Sequence, residues 1–186
     1  RSLQVETLRA RTALKAIILA AGRGSRMNQL TEERPKCLVV LHGRPLLKWQ
    51  IDSLKEAGIT DIAIVTGYER EQLQTWGLTE FHNPRWVKTN MVSSLASASE
   101  WLEEEPCIVS YSDIVYDSTA VAMLEEVDAQ IAITYDPDWQ AKWEKRFDDP
   151  LEDAETFQLN IDGSVANIGD KPKSVDEPVP SSPATG

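Results

Sequence analysis

The chain has few of the residues that hold proteins together through covalent or metal bonds. It contains two cysteines, Cys37 and Cys107, and two histidines, all scattered singly. Two cysteines cannot build a disulfide scaffold and are typical of a reducing compartment, so we expect a cytoplasmic protein. Single His and Cys residues also lack the closely spaced pairs of a structural zinc site.

Long apolar runs are missing as well. The longest apolar run lies at 16–21, whereas a membrane-spanning helix needs about 20 apolar residues. We therefore expect no membrane span. A length of 186 residues fits one domain with a sizeable core.

Positive charge is scarce, since 19 Lys and Arg face 30 Asp and Glu and give a net charge of −11. A protein that is acidic overall is expected to repel nucleic acid, which binds to basic surfaces. The charge is also uneven, with ten Lys and Arg against three Asp and Glu in residues 1–50, and nine against 27 in residues 51–186. This division reflects either chance surface composition, or a basic segment that handles an anion and an acidic body that holds a cation.

Predicted strands and helices alternate along the chain. Short apolar runs predict strands, and apolar residues at helical spacing between a proline and a glycine predict helices. The predicted strands are 15–19, 37–41, 61–66, 107–111 and 131–135, and the predicted helices are 45–57, 69–76, 91–102, 118–127 and 138–146. Residues 155–168 predict a hairpin around 160–163. This alternation predicts an α/β fold with a mostly parallel central sheet flanked by helices.

The ends of the chain differ in composition from its middle. Residues 1–13 are polar and begin without Met, and residues 176–186 are rich in Pro and Ser. We expect a linker or N-terminal extension at 1–13, one domain at 14–175 and a flexible tail at 176–186.

A glycine-rich turn follows the first predicted strand. Gly22 and Gly24 allow backbone N–H groups to approach an anion closely, and the guanidinium groups of Arg23 and Arg26 suit phosphate oxygens. Lys36, after Pro35, would lie near the same anion. The turn is neither a P-loop, because GxxxxGK[ST] is absent, nor a dinucleotide fingerprint, because a third glycine in register is absent.

The carboxyl ends of the other predicted strands complete the candidate site. Ligands of parallel sheets bind at these ends, which directs attention to 20–27, 66–68 and 112–117. Asp113 follows an apolar strand, where an unpaired carboxylate is costly unless it binds a cation or a donor. Its alternative role is a turn or helix cap, which is the preferred interpretation of Asp117.

Two strings of the sequence resemble a known enzyme superfamily. LAAGRGSRM and RPKCLVVLHGRPLL are similar to nucleotidyltransferases that make nucleotide-activated sugars and alcohols on a Rossmann-like sheet of the GT-A type. NMVSSL, SYSDIVY, DPDWQAKWEKRFDDPLEDAETF and GDKP resemble a narrower group, the cytidylyltransferases of phosphocholine and small phosphonates. Some of that group are fused to another enzyme of phosphonate or antibiotic biosynthesis.

The resemblance implies a reaction and a set of roles. CMP would pass from CTP to an oxygen of 2-hydroxyethylphosphonate, 2-aminoethylphosphonate or phosphocholine, and pyrophosphate would leave. Lys36 and Arg26 would neutralise phosphate charge, Lys171 would orient the acceptor, and Asp113 would hold Mg²⁺. The nucleotide would be bound by Ala20, Ala21, Gly22, Arg23, Gly24, Ser93 and Ser94. Two alternatives stay open: a sugar-1-phosphate nucleotidyltransferase, and a catalytically weak nucleotide-binding module of a larger protein.

The sequence says less about the residues that bind the acceptor. The aromatic and acidic residues of 139–155 could hold a quaternary ammonium group by cation–π contact, or form a helix face and a solvated loop. Asp149 and Glu155 are the acceptor-binding candidates. The resemblance ends near Lys173, before a second metal carboxylate, and the sequence does not choose among Asp170, Asp176 and Glu177.

Overall fold

The computed structural model describes residues 14–24, 31–136, 138–145, 147–149, 151, 156–171 and 173. The chain divides into two compact units, Arg1–Ala132 and Ile133–Gly186. The predicted extension at 1–13 and the predicted tail at 176–186 lie outside the described residues, so the division into 1–13, 14–175 and 176–186 stays a prediction.

The first unit contains strands and helices in alternation. Its strands are β1 (Lys15–Ala20), β2 (Val40–Leu41), β3 (Arg44–Pro45), β4 (Ile62–Thr66), β5 (Thr79–His82) and β6 (Cys107–Tyr111). Its helices are α1 (Leu46–Glu56), α2 (Arg70–Gln74), α3 (Met91–Ala96), α4 (Ser99–Glu104) and α5 (Ser118–Glu125), with 3₁₀ turns at Lys36–Leu38 and Trp86–Lys88. The predicted α/β class is confirmed.

Four strands form a parallel sheet in the order β5-β4-β1-β6. Ala16 of β1 lies between Ile62 of β4 and Ile108 of β6 in register. Strands β4 and β5, which come next in the sheet, are added on one side of β1, and β6 is then added on its other side. In such sheets the ligand crevice opens at the carboxyl ends of the two strands where the order reverses. Here those strands are β1 and β6.

Alternate side chains of β1 enter two hydrophobic clusters, one on each face of the sheet. Ala16 and Ile18 pack in a cluster with Leu54 of α1 and Val121 of α5. Ile17 packs on the opposite face with Ala98. A strand buried on both faces must be almost continuously apolar, which explains the sequence KAIILA. This double burial fixes the start of the glycine-rich turn.

The second unit contains helix α6 (Trp139–Trp143) and a two-stranded antiparallel hairpin of β7 (Phe157–Leu159) and β8 (Val165–Ile168). Gly163 closes the turn with φ +82°, and its N–H donates to the Asn160 carbonyl at 3.0 Å. The hairpin predicted around 160–163 is confirmed.

Several element predictions are wrong. Residues 131–135 form no strand, and Ile131 is 86% exposed, because apolar β-branched residues become a strand only with a backbone partner. Of the extended piece predicted at 37–41, only Val40–Leu41 form a strand, and its first residues belong to the 3₁₀ turn Lys36–Leu38. The helix predicted at 91–102 is divided at Ala98, which is fully buried against the sheet. Strand β5 was not predicted.

Among the described residues, none of the helices has the length and apolar character of a membrane span.

Candidate functional site

The glycine-rich turn continues directly from β1. Ala20 and Ala21 are buried, while Gly22 and Arg23 are exposed. Gly24 adopts φ +68°, a left-handed conformation that glycine enters without steric cost. Arg26 lies outside the described residues.

Gly24 lies directly against the side chain of Lys36. A Cβ atom at Gly24 would stand 3.0 Å from Lys36 Cδ and 3.1 Å from its Cβ. Lys36 opens the 3₁₀ turn, and Pro35 supplies a fixed φ of −58° and a carbonyl that accepts from Leu38 N–H at 2.9 Å. The absence of a side chain at Gly24 therefore allows the stem of Lys36 to cross the turn.

The ammonium group of Lys36 forms an ion pair with the carboxylate of Asp113. Asp113 follows the carboxyl end of β6, so the pair connects the segments after β1 and β6. The two side chains are 27% and 36% exposed, respectively. Exposed ion pairs contribute little to stability, about 0–1 kcal/mol, and can exchange partners. The predicted phosphate-binding lysine and the predicted metal carboxylate are therefore brought together at the crevice.

The residues present fit a magnesium ion that Asp113 would hold together with water and substrate phosphates. No group of three or more His, Cys, Asp and Glu residues that could hold a metal occurs in the described part of the chain. Mg²⁺ is commonly bound by one or two carboxylates together with water and substrate phosphates. Asp113, paired with Lys36 beside the glycine-rich turn, offers one carboxylate of this kind. Of the second-ligand candidates, Asp170 accepts from Asn167 Nδ2 at 2.7 Å, and Asp176 and Glu177 lie outside the described residues.

On the β4 side, two aromatic side chains border the glycine-rich turn, and Arg23 of the turn lies over one of them. Tyr68 N–H donates to the Ala21 carbonyl at 2.9 Å. The Arg23 guanidinium lies 5.8 Å from the centre of the Tyr68 ring, and Tyr68 meets Trp86 edge to face at 5.5 Å. A Cβ at Gly67 would be 2.6 Å from the Ala21 carbonyl oxygen and 2.7 Å from Trp86 Cβ, so only glycine allows this approach.

The start of α3 carries Ser93 and Ser94. Asn90 caps the helix, and its Oδ1 accepts from Ser93 N–H at 3.0 Å. Ser93 is exposed, whereas Ser94 is 6% exposed and its hydroxyl donates to the Asn90 carbonyl at 3.3 Å. Capping by Asn90 accounts for the Ser93 contact, and the Ser94 hydroxyl bonds back to the carbonyl one turn earlier in its own helix. A contact of either serine with a nucleotide stays a prediction.

Sequence reasoning missed Asn83, which is 4% exposed. Its side-chain Nδ2 donates to Ser94 Oγ at 3.0 Å and Thr89 Oγ1 at 2.9 Å, and its N–H donates to the Thr66 carbonyl at 2.9 Å. Asn83 therefore joins the ends of β4 and β5 to the start of α3. Asn-Pro at 83–84 is a turn signal, and it indicates no more than a turn.

A carboxylate network fixes the end of β4 beside Tyr68. Glu80 accepts from Thr66 Oγ1 at 2.5 Å, from Arg70 Nη2 at 2.9 Å and from Gln74 Nε2 at 2.9 Å. Burial raises the pKa of Glu80, but hydrogen bonds from Gln74, Thr66 and Arg70 outweigh burial and hold that pKa below its ordinary value.

The second unit carries the remaining candidates. Lys171 and Asp149 are exposed, and Asp149 Oδ1 accepts from Leu151 N–H at 2.9 Å. Lys171 follows Asp170, whose carbonyl accepts from Thr156 N–H at 2.7 Å at the base of the hairpin. Glu155 lies outside the described residues. The roles of Lys171, Asp149 and Glu155 stay predictions.

The aromatic residues of α6 support the packing interpretation of the 139–155 stretch. Trp139 and Trp143 are half-buried, and Trp143 meets Phe147 with ring centres 6.2 Å apart. One turn of helix separates the two tryptophans, as expected for a shared helix face.

The chain is similar to characterised enzymes over most of its length. It is 38% identical over 175 residues to CTP:phosphoglutamine cytidylyltransferase of Campylobacter jejuni, covering 88% of this chain and 68% of that enzyme. It is 42% identical over 93 residues to choline-phosphate cytidylyltransferase of Streptococcus pneumoniae, covering 48% of this chain and 41% of that enzyme. The chain thus matches less than half the length of the choline-phosphate enzyme.

A solved structure supports the fold assignment. The inositol-1-phosphate CTP transferase of T. maritima matches 88% of this chain and 66% of its own with a TM-score of 0.64 and 20% identity. At this identity the likeness concerns the fold alone, and it agrees with the predicted GT-A-like sheet.

The family model of the MobA-like NTP transferase domain matches residues 16–153. This range contains the glycine-rich turn, Lys36 and Asp113, on which the predicted resemblance to nucleotidyltransferases was based. That prediction is confirmed, and the chain belongs to the MobA-like NTP transferase domain family.

Proposed function

We propose that this chain is a CTP-dependent cytidylyltransferase. It transfers CMP from CTP to a phosphate or phosphonate oxygen of a small acceptor and releases pyrophosphate. The observation that carries the proposal is the meeting of Lys36 and Asp113 beside the glycine-rich turn, at the crevice between β1 and β6. The similarity to enzymes that use CTP favours cytidine over other bases.

The reaction needs alignment and charge neutralisation rather than a general base. The attacking acceptor oxygen is already anionic near neutral pH. It forms a bond to the α-phosphorus of CTP, while the bond from that phosphorus to the bridging oxygen of the β-phosphate breaks and its electron pair leaves with pyrophosphate. Cationic groups placed beside the triphosphate offset the charge that develops. Lys36, Arg23 and Arg26 are the proposed groups.

Lys36 would exchange Asp113 for an α-phosphate oxygen when the nucleotide binds. The pair is partly exposed, so this exchange costs little. Asp113 is the residue that would hold Mg²⁺, and the ion, when bound, would supply further charge neutralisation to the triphosphate.

The acceptor is proposed to lie near Lys171, Asp149 and Glu155. The similarity to the phosphoglutamine enzyme extends over 88% of this chain and therefore includes part of the second unit, whereas the match to the choline-phosphate enzyme covers 48% of this chain. Phosphoglutamine therefore joins phosphocholine, 2-aminoethylphosphonate and 2-hydroxyethylphosphonate as a candidate acceptor. A phosphonate acceptor would favour a role in antibiotic biosynthesis.

Pyrophosphate release tests the proposal. The full chain is incubated with Mg²⁺, one acceptor at a time, and CTP, UTP, dTTP or GTP. We expect release with CTP and one of the four acceptors. Release with UTP or dTTP and glucose-1-phosphate would indicate a sugar nucleotidyltransferase, and CTP binding without release under any condition would indicate a binding module. Either result contradicts the proposal.

A further inference from the structure

We infer that Gln50 is a positioning residue for Asp113, and through it for the metal-dependent binding of the nucleotide. The inference rests on the proposed function. Gln50 lies on α1, which contributes no side chain to the proposed contacts with the nucleotide.

The side-chain amide of Gln50 brackets Asp113 with two hydrogen bonds. Gln50 is fully buried, and its Nε2 donates to the Tyr111 carbonyl at 2.8 Å and to the Ile114 carbonyl at 2.6 Å. These carbonyls lie two residues before and one residue after Asp113. The backbone that carries Asp113 is therefore tied on both sides, while its carboxylate stays accessible.

The segment that holds Asp113 has left the sheet and depends on such bonds. Residues 112–117 follow β6 and have no strand ladder to satisfy their carbonyls. Helix α1 supplies two of the missing donors: Gln50, and Ser53, whose hydroxyl donates to the Tyr116 carbonyl at 2.6 Å. Helix α1 is itself packed into the core through Leu47, Ile51 and Leu54.

The same helix also holds the turn that carries Lys36. The N–H of Leu46, the first residue of α1, donates at 3.0 Å to the carbonyl of Val39, which follows the Lys36–Leu38 turn. One helix therefore fixes the backbones on both sides of the Lys36–Asp113 pair. On the Asp113 side the helix acts through Gln50 and Ser53, and the carbonyls that Gln50 contacts are the nearer ones to Asp113.

Packing alone does not account for a glutamine at this position. Gln50 Oε1 is buried and accepts no hydrogen bond from any residue that the structure describes. Methionine would fill the same volume without burying an unsatisfied oxygen. What glutamine adds is the pair of N–H donors that hold the two carbonyls.

The test compares Gln50→Met with Ser53→Ala. Gln50→Met removes the Gln50 hydrogen bond from both carbonyls around Asp113 and keeps an unbranched side chain of similar length; the Tyr111 carbonyl keeps a bond from the Ser110 hydroxyl at 3.1 Å. Ser53→Ala removes a hydroxyl donor of the same helix, to a carbonyl three residues beyond Asp113. Calorimetric titration of CTP into each protein at a series of Mg²⁺ concentrations measures the Mg²⁺ dependence of nucleotide binding, and amide hydrogen exchange measures the opening of 111–116.

We expect Gln50→Met to raise the Mg²⁺ concentration needed for CTP binding by about 10–100-fold, the usual effect of removing a group that orients a metal ligand. CTP binding without Mg²⁺ should change little, and exchange at 112–115 should accelerate. Ser53→Ala should keep the Mg²⁺ dependence of the unchanged protein. Gln50→Leu, which has no hydrogen-bond donor and stays apolar, should reproduce the loss if the methionine variant does not fold.

An unchanged Mg²⁺ dependence in Gln50→Met would overturn the inference and leave the proposed function intact. If the unchanged protein shows no Mg²⁺-linked CTP binding, the proposed function fails instead. Hydrogen exchange then decides the positioning role: faster exchange in Gln50→Met supports it, and equal exchange overturns it.

Discussion

Lys36 and Asp113 are 77 residues apart in sequence and form an ion pair at the crevice between β1 and β6. The pair places a cation that suits a phosphate next to a carboxylate that suits a metal ion. In the proposed function, a nucleotide with its magnesium ion would offer each of the two side chains a new partner of opposite charge. The observed ion pair links the segments after β1 and β6, and the proposal adds that its two members exchange partners when the nucleotide binds.

Replacement of Lys36 should reduce the rate of the reaction strongly. Lys36→Met keeps the aliphatic stem over Gly24 and removes the charge, so kcat should fall by about 10²–10³-fold, as expected for one lost electrostatic contact in the transition state. Steady-state pyrophosphate release measures this change. Lys55→Met, at an exposed lysine in the last turn of α1, is the matched control and should keep the normal rate. A near-normal rate for Lys36→Met would remove Lys36 from the mechanism.

Asp113 and Asp117 should respond to substitution in opposite ways. Asp113→Asn should abolish Mg²⁺-linked CTP binding and lower kcat by at least about 10²-fold, with little change in melting temperature. Asp117 caps α5 by accepting from Thr119 N–H at 3.0 Å and Ala120 N–H at 3.2 Å. Asp117→Ala should therefore lower the melting temperature by a few degrees and leave kcat unchanged.

Thermal melts and pyrophosphate release, measured on the same preparations, distinguish the proposed metal-binding role of Asp113 from the capping role of Asp117. If Asp113→Asn retained activity, Asp113 would be a turn residue like any other. If Asp117→Ala lost activity at unchanged stability, the assignment of the two roles would be reversed.

The sequence predicted the central strand and the glycine-rich turn after it because both depend on local patterns. KAIILA is apolar enough to be buried on both faces. The glycines and arginines that follow it favour an anion site, which stays a prediction. The capping role preferred for Asp117 is confirmed, because a side chain that caps a helix acts within three residues of itself.

Other features depend on contacts that no local pattern shows. Asn83 and Gln50 act through backbone carbonyls or side chains of distant segments, so their sequence neighbours carry no sign of these bonds. The 131–135 run has strand composition, yet composition cannot supply the second strand that a ladder requires. Residues 91–102 have continuous helical propensity and were predicted to form one helix. In the structure α3 ends at Ala96 and α4 begins at Ser99, and Ala98 between them is buried against the sheet.

Gly24 and Gly77 offer a matched test of the contact between Gly24 and Lys36. Both glycines have similar backbone conformations, with φ +68° and +67°, but a Cβ at Gly77 would meet nothing within 4 Å. Alanine at either position would raise the conformational free energy of the folded state by a similar amount, because a residue with a Cβ atom is disfavoured at positive φ. Only Gly24→Ala also displaces Lys36.

We therefore expect comparable falls in melting temperature for Gly24→Ala and Gly77→Ala, and a large loss of kcat for Gly24→Ala alone. Thermal melts and pyrophosphate release measure the two effects. Equal activity in both variants would show that the position of Lys36 does not depend on the turn.

The Glu80 network predicts a stability that depends on pH. Burial of Glu80 raises its pKa, and the hydrogen bonds from Gln74, Thr66 and Arg70 lower it further than burial raises it, so the folded pKa lies below the unfolded one. A depressed carboxylate pKa stabilises the folded state above the unfolded pKa, and this contribution disappears as the pH falls through the folded pKa. Glu80→Gln should thus lower the melting temperature clearly at pH 7, and the difference from the unchanged protein should shrink toward pH 3.

Thermal melts across that pH range check this expectation, with Glu103→Gln on the exposed face of α4 as the control for loss of one negative charge. The control should differ little from the unchanged protein at either pH. A Glu80→Gln difference that stayed constant with pH would mean that the hydrogen bonds stabilise the side chain irrespective of its charge. A difference that grew as the pH fell would mean that burial, not the hydrogen bonds from Arg70, Thr66 and Gln74, dominates the environment of Glu80, because a raised carboxyl pKa reverses the sign of the linkage.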